Sequence, residues 1–120
     1  MASVEHLISK PLWSVVTTKN DNSIATAVKA APGAGFCHYI TAAHISYSAA
    51  PSAVVSATLA DATGTLAQWE LAAAAAAPII LSFGDHALKC RANEAATLTL
   101  PALGGTTKGT IVLFGFTSTV

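Results

Sequence analysis

One hundred and twenty residues leave room for one hydrophobic core but not for two. Six basic side chains balance six acidic ones, which leaves no electrostatic footprint for nucleic acid or for an anionic membrane surface. Only 10% of the residues are charged, against roughly 25% in an ordinary soluble domain; 26 Ala, 14 Thr and 10 Ser fill the gap, a composition that fits neither a disordered tail nor a disulfide-stapled miniprotein.

In chain order, Met1 to Leu12 shows neither strand nor helix period and reads as an extended arm that orders only against a neighbour. Glu5 and His6 stand where a secretory signal needs a basic start and an unbroken apolar stretch, so synthesis and folding in a cytoplasm are expected. Trp13 to Thr18 is β-rich. After the Asn20-Asp21-Asn22 turn, Ile24 to Val28 reads as a strand, and after Pro32-Gly33 a longer one runs from Phe36 to Ser48. Its period-two faces are both mixed: Tyr39, Thr41, Ala43, Ile45 and Tyr47 on one side, His38, Ile40, Ala42, His44 and Ser46 on the other.

Val54 to Ala60, Leu66 to Leu71, Ile79 to Phe83, Ala96 to Leu100 and Gly109 to Thr117 complete the set. Six alanines, Ala72 to Ala77, compete as a helix by intrinsic propensity. Gly64 before them, Pro78 after them and the lack of an apolar stripe favour strand then loop. The eleven apolar residues from Leu71 to Leu81 contain Pro78 and fall short of the roughly 20 needed to span a bilayer. The expected fold is all-β: one antiparallel β-sandwich of seven or eight strands over residues 13–120, preceded by an arm over residues 1–12.

Little in the chain points to chemistry. His38 and His44 lie near 20 Å apart if the strand is regular, at about 3.3 Å per residue, too far for one metal ion. Partly exposed strand histidines are the expectation. Cys37 and Cys90 have no ligand spacing and read as half-buried free thiols. The carboxylates are scattered, Asp85-His86 reads as a turn, and no nucleophile elbow, P-loop or dinucleotide fingerprint is present. Lys89-Cys90-Arg91 reads as a solvated edge that discourages strand pairing. Trp13, Trp69, Tyr39 and Tyr47 lack the flanking acids and amides of a sugar platform and read as packing. No catalytic, cofactor-binding or metal-binding residue is expected.

Gly35-Phe36-Cys37-His38-Tyr39-Ile40-Thr41, followed by Ile45-Ser46 and Ser48-Ala49, is similar to the first long strand of small structural proteins encoded among the head genes of tailed bacteriophages. Asp61 with Gly64, Trp69, the Phe83 strand, Leu88 and Asn93-Glu94-Ala95 follow in that order. The ending, Gly109 to Thr117 with Gly115-Phe116-Thr117, resembles that family's terminal strand. The resemblance covers about residues 32–117; Ala72 to Ala77 and residues 1–22 have no counterpart in it.

The resemblance implies a β-sandwich, with the jelly roll among its forms, acting as a capsid decoration or cement protein or another head or tail component. It implies a homo-oligomer made in the host cytoplasm and resident on the capsid surface. Its partners would be the major capsid protein and copies of itself, with no cofactor, nucleic acid or membrane. Val4, Leu7, Ile8, Leu12 and Trp13 are the candidate interface residues of the arm and its junction. The alternative is a carbohydrate- or receptor-binding β-sandwich module of a phage tail or fibre; a small β-fold enzyme ranks below both.

Overall fold

The computed structural model describes residues 12–73, 78–83, 86–104 and 107–120. Among them are nine strands: β1 (Leu12–Lys19), β2 (Ala25–Lys29), β3 (Phe36–Tyr47), β4 (Val55–Ala60), β5 (Thr65–Leu71), β6 (Ile79–Ser82), β7 (Leu88–Lys89), β8 (Ala96–Leu100) and β9 (Gly109–Thr119). They form two sheets, β1-β9-β3-β6 with β7 also on β3, and β2-β8-β4-β5. Every pairing is antiparallel. The fold is an antiparallel β-sandwich.

Strand order narrows the architecture further. β6 and β7 pair in tandem with β3 and count as one interrupted strand. The first strand then pairs with the last, the second with the one before it, the third with the interrupted strand, and β4 with β5. Such nesting of antiparallel pairs, rolled so that alternate pairs fall in opposite sheets, is a jelly roll.

The ninth strand and the mixed faces of β3 have one cause. Between Ile40 and Ala42 the register against β9 shifts, leaving Thr41 as an extra residue. A bulge reverses the in-out alternation beyond it. Before it, His38 and Ile40 point inward; after it, Ala43 and Ile45 do, all four buried. His38 and His44 therefore lie on opposite faces of β3, not on the shared face that unbroken alternation predicts. On the other edge, β7 pairs with Tyr39 and Ile40 and β6 with Ala42 to Ile45, so the break between them falls opposite Thr41. The Phe83 amide donates to the Thr41 carbonyl at 2.9 Å and closes the gap.

The core lies between the sheets. Ile40, Ala43, Ile45, Ile111 and Leu113 face it from the first sheet, and Ala27, Ala57, Leu59, Leu98 and Leu100 from the second. Alternating large and small residues lets the layers interdigitate, and each buried Leu or Ile contributes about 1.5 to 3 kcal/mol before ordering costs. Part of the alanine excess is thus spent inside.

Leu12 is the first residue of β1, not the last of an arm. Residues 1–11, which carry the rest of the arm expectation, lie outside the described residues, as do 74–77 of the alanine tract and Asp85 of the Asp85-His86 pair. Ala72 and Ala73 follow β5 as non-strand chain and turn.

Candidate interaction surfaces

The polar side chains that the fold buries are fully engaged in holding it. His38 is almost completely buried, where sequence suggested partial exposure. Its Nε2 lies 2.7 Å from the Ala30 carbonyl and its Nδ1 2.8 Å from the Thr117 hydroxyl. A carbonyl only accepts, so Nε2 carries the donated proton. The indole of Trp13 donates to the same hydroxyl at 3.1 Å and meets the imidazole edge-on. This cluster pins β1, β3 and β9 at one end of the sheet. Trp13, expected at an interface, is half-buried in that packing.

Asp61, buried after β4, accepts from the amides of Thr63, Gly64 and Arg91 and from the Arg91 guanidinium at 2.8 Å. Burial pushes its pKa up, but those three amides and the Arg91 charge outweigh it and hold the carboxyl below its ordinary value. Arg91 is thus a structural partner of Asp61 even though its side chain is exposed; Lys89 is exposed as well. Lys19 is likewise buried, its ammonium donating to the carbonyls of Ser23 and Pro101. Burial lowers its pKa, with Asp21 opposing.

Cys37 and Cys90 are free and fully buried rather than half-buried. Burial, reinforced by the negative charges of Asp61 and its neighbours, raises the Cys90 thiol to about 11, so it is a poor nucleophile. No group of three or more His, Cys, Asp or Glu side chains among the described residues is placed to hold a metal ion. No described helix is long and apolar enough to cross a membrane.

The outer faces of the sheets are more informative. On the first, cross-strand registers line up Val16, Val112, His44 and Ile80 in one row and Ser14, Phe114, Ala42 and Ser82 in the next. A third row is Leu12, Phe116, Tyr39 and Lys89. Tyr39 stacks on Phe116 at 4.9 Å, and His44 packs edge-on against Phe114. Leu12, Val16 and Ile80 are 78%, 59% and 68% exposed.

The second sheet presents Thr26, Thr99, Thr58 and Gln68 in one row and Val28, Thr97, Ala60 and Thr65 in another. Apart from Gln68, these rows present hydroxyls and methyls. Across both faces the permanently charged side chains in register are Lys89 and Glu70.

One shallow cleft of about 250 Å³ lies where β3 meets β9, lined by Ser46, Tyr47, Ser48, Lys108, Gly109 and Thr110. Of the interface candidates, Leu12 lies exposed on the first outer face, while Val4, Leu7 and Ile8 lie outside the described residues. Sequence reasoning missed the face itself. Val112, Phe114 and Phe116 alternate visibly in β9, but Ala42 and His44 join them only because of the bulge at Thr41. No family model matches the chain, and no curated protein or solved structure matches it either.

Proposed function

We propose that this chain is a non-enzymatic virion structural protein, a capsid decoration or cement protein resident on the capsid surface, whose partners are neighbouring capsid subunits and further copies of itself. The observation that carries the proposal is the near absence of charge on both outer sheet faces, where Lys89 and Glu70 stand alone among rows of Val, Phe, Ala, Ser and Thr. Uncharged surface costs far less to desolvate than charged surface, which suits a subunit that works while covered. Jelly rolls recur in viral capsid proteins, an analogy of fold that adds support of its own kind.

The mechanism is adhesion. A contact of the order of 1,600 Å² formed only on the assembled shell adds binding free energy to that shell and none to free subunits, and icosahedral repetition multiplies it. Because the faces carry so little charge, binding is expected to depend weakly on salt. Co-sedimentation with undecorated phage capsids at low and high salt tests this. Saturable binding at both supports it; no binding, or binding lost at high salt, overturns it.

The cleft beside Tyr47 favours the second reading, a glycan- or receptor-binding module, because it gathers hydroxyls, one aromatic ring and the Lys108 ammonium. Glycan-array binding that disappears in Lys108→Ala would move the assignment there.

A further inference from the structure

We infer that the outer face of the β1-β9-β3-β6 sheet is an isologous interface, packing against the same face of a second copy about a two-fold axis that lies between the sheets and runs along the strands. The inference deepens, and to that extent rests on, the self-association half of the proposed function.

Charge argues for a second copy as the occupant. A two-fold interface opposes a surface to itself, so any cluster of like charge meets its own image. This face has no carboxylate in register, and its one permanent charge, Lys89, sits at a corner against the Tyr39 ring, 5.9 Å from the centroid. Nothing on it repels its image strongly.

Area argues the same way. The eight residues of β1 at about 3.3 Å each and four strands at about 4.8 Å spacing make a face of roughly 500 Å². Two such faces hide roughly 1,000 Å², the lower end of what a specific interface needs. An interface of that size suits a reversible dimer and not an obligate one.

The arrangement of side chains fixes the axis. The most exposed apolar groups lie on the two edge strands, Leu12 and Val16 on β1 and Ile80 on β6, with the half-buried Phe114 and His44 between. A two-fold along the strands lays β1 of one copy over β6 of the other. Val16 then meets the partner's Ile80 edge twice per dimer, and the aromatic centre closes on itself, bounded at one end by the hydroxyl row Thr18, Thr110 and Ser46. An apolar centre containing aromatic side chains is the usual anatomy of an interface core.

The test uses the free full-length chain. Sedimentation equilibrium is expected to show a monomer–dimer equilibrium, and Val16→Lys and Ile80→Glu singly are expected to weaken it by more than about tenfold. Both side chains are exposed, so circular dichroism and the melting midpoint measured at low concentration should match the original chain. The double variant Val16→Lys/Ile80→Glu is expected to regain the dimer in a salt-dependent way, because the introduced ammonium on β1 faces the introduced carboxylate on the partner's β6. A monomer at every concentration overturns the inference, as does a dimer indifferent to both single substitutions, or a double variant no better than the singles. So does a monomer that dimerises only after deletion of residues 1–11, which would make the chain's own first residues the occupant. Since no capsid is present, failure of capsid binding is read separately.

Discussion

Across the outer face of one sheet the row Val16, Val112, His44, Ile80 runs through four strands; across the other, the row Thr26, Thr99, Thr58, Gln68 does the same. Val and Thr are both β-branched and fit a pleated surface about equally well, so folding is indifferent to the choice. What differs is the cost of removing water: the valine face gains by being covered, whereas the threonine face must find hydrogen-bond partners first. The difference therefore belongs to association. The inner faces show no such asymmetry, since both are packed with aliphatic side chains, Ile, Leu and Ala on the first sheet and Leu and Ala on the second.

The largest expected effects come from that inner symmetry. Leu113→Ala in the first sheet and Leu98→Ala in the second each remove a fully buried side chain and should each cost about 2 to 5 kcal/mol in denaturant unfolding. The two values should agree within the spread of such substitutions. If one is negligible, the sheets do not share one core and the contrast drawn from their outsides fails.

Gly115→Ala probes the bulge that builds the apolar face. Gly115 pairs with Ile40 just before the register shift, and a Cβ there would collide with the Tyr39 carbonyl and lie 2.7 Å from the Trp13 ring. Overpacking against backbone should cost about 1 to 3 kcal/mol. Gly64→Ala, with open space around the added carbon, should stay within about 0.5 kcal/mol. Equal thermal shifts for the pair would mean that the bulge region is not tightly packed.

Among the described residues, most of the charge missing from the faces sits in the loops. Asp61 is held below its ordinary pKa when folded, so its contribution is present above its unfolded pKa, about 3.9, and is lost as pH falls through the folded value. Asp61→Asn should cost about 2 kcal/mol at pH 7, a figure kept modest because the Arg91 side chain is 55% exposed. The gap between the two proteins should narrow as pH drops below about 4. Melting curves from neutral to acid pH check this; a constant gap would mean that the carboxylate charge contributes nothing.

Where the sequence was legible, local pattern and tertiary structure agreed. β2 and β8 alternate cleanly, and turn residues flank both of them. Where it was not, a single residue decided the outcome. Thr41 carries no local sign of a bulge, yet it moves His44 outward, keeps His38 inward and divides β6 from β7. Asp61 and Arg91 are thirty positions apart, so no local rule pairs them; only the Asp61-Ala62-Thr63-Gly64 turn was visible. The candidate surface was half legible: its β9 side chains follow from alternation, and its β1 and β6 members follow only from strand order.

The smallest effect on stability carries the sharpest meaning for the two faces. Thr58→Val and Thr99→Val together replace two cross-strand neighbours on the outer face of the second sheet with side chains of nearly the same shape. Neither hydroxyl faces the core, so each change should move the unfolding free energy by less than about 0.5 kcal/mol. The melting midpoint at low concentration should be unchanged. What changes is the desolvation cost of that face, which falls when the hydroxyls are removed. If apolarity is sufficient to make a pleated face adhesive, the double variant gains a second mode of association and forms species larger than a dimer in sedimentation. If it associates no more than the original chain, apolarity alone is insufficient, and the specific arrangement of Val16, Phe114 and Ile80 on the first sheet carries the contact.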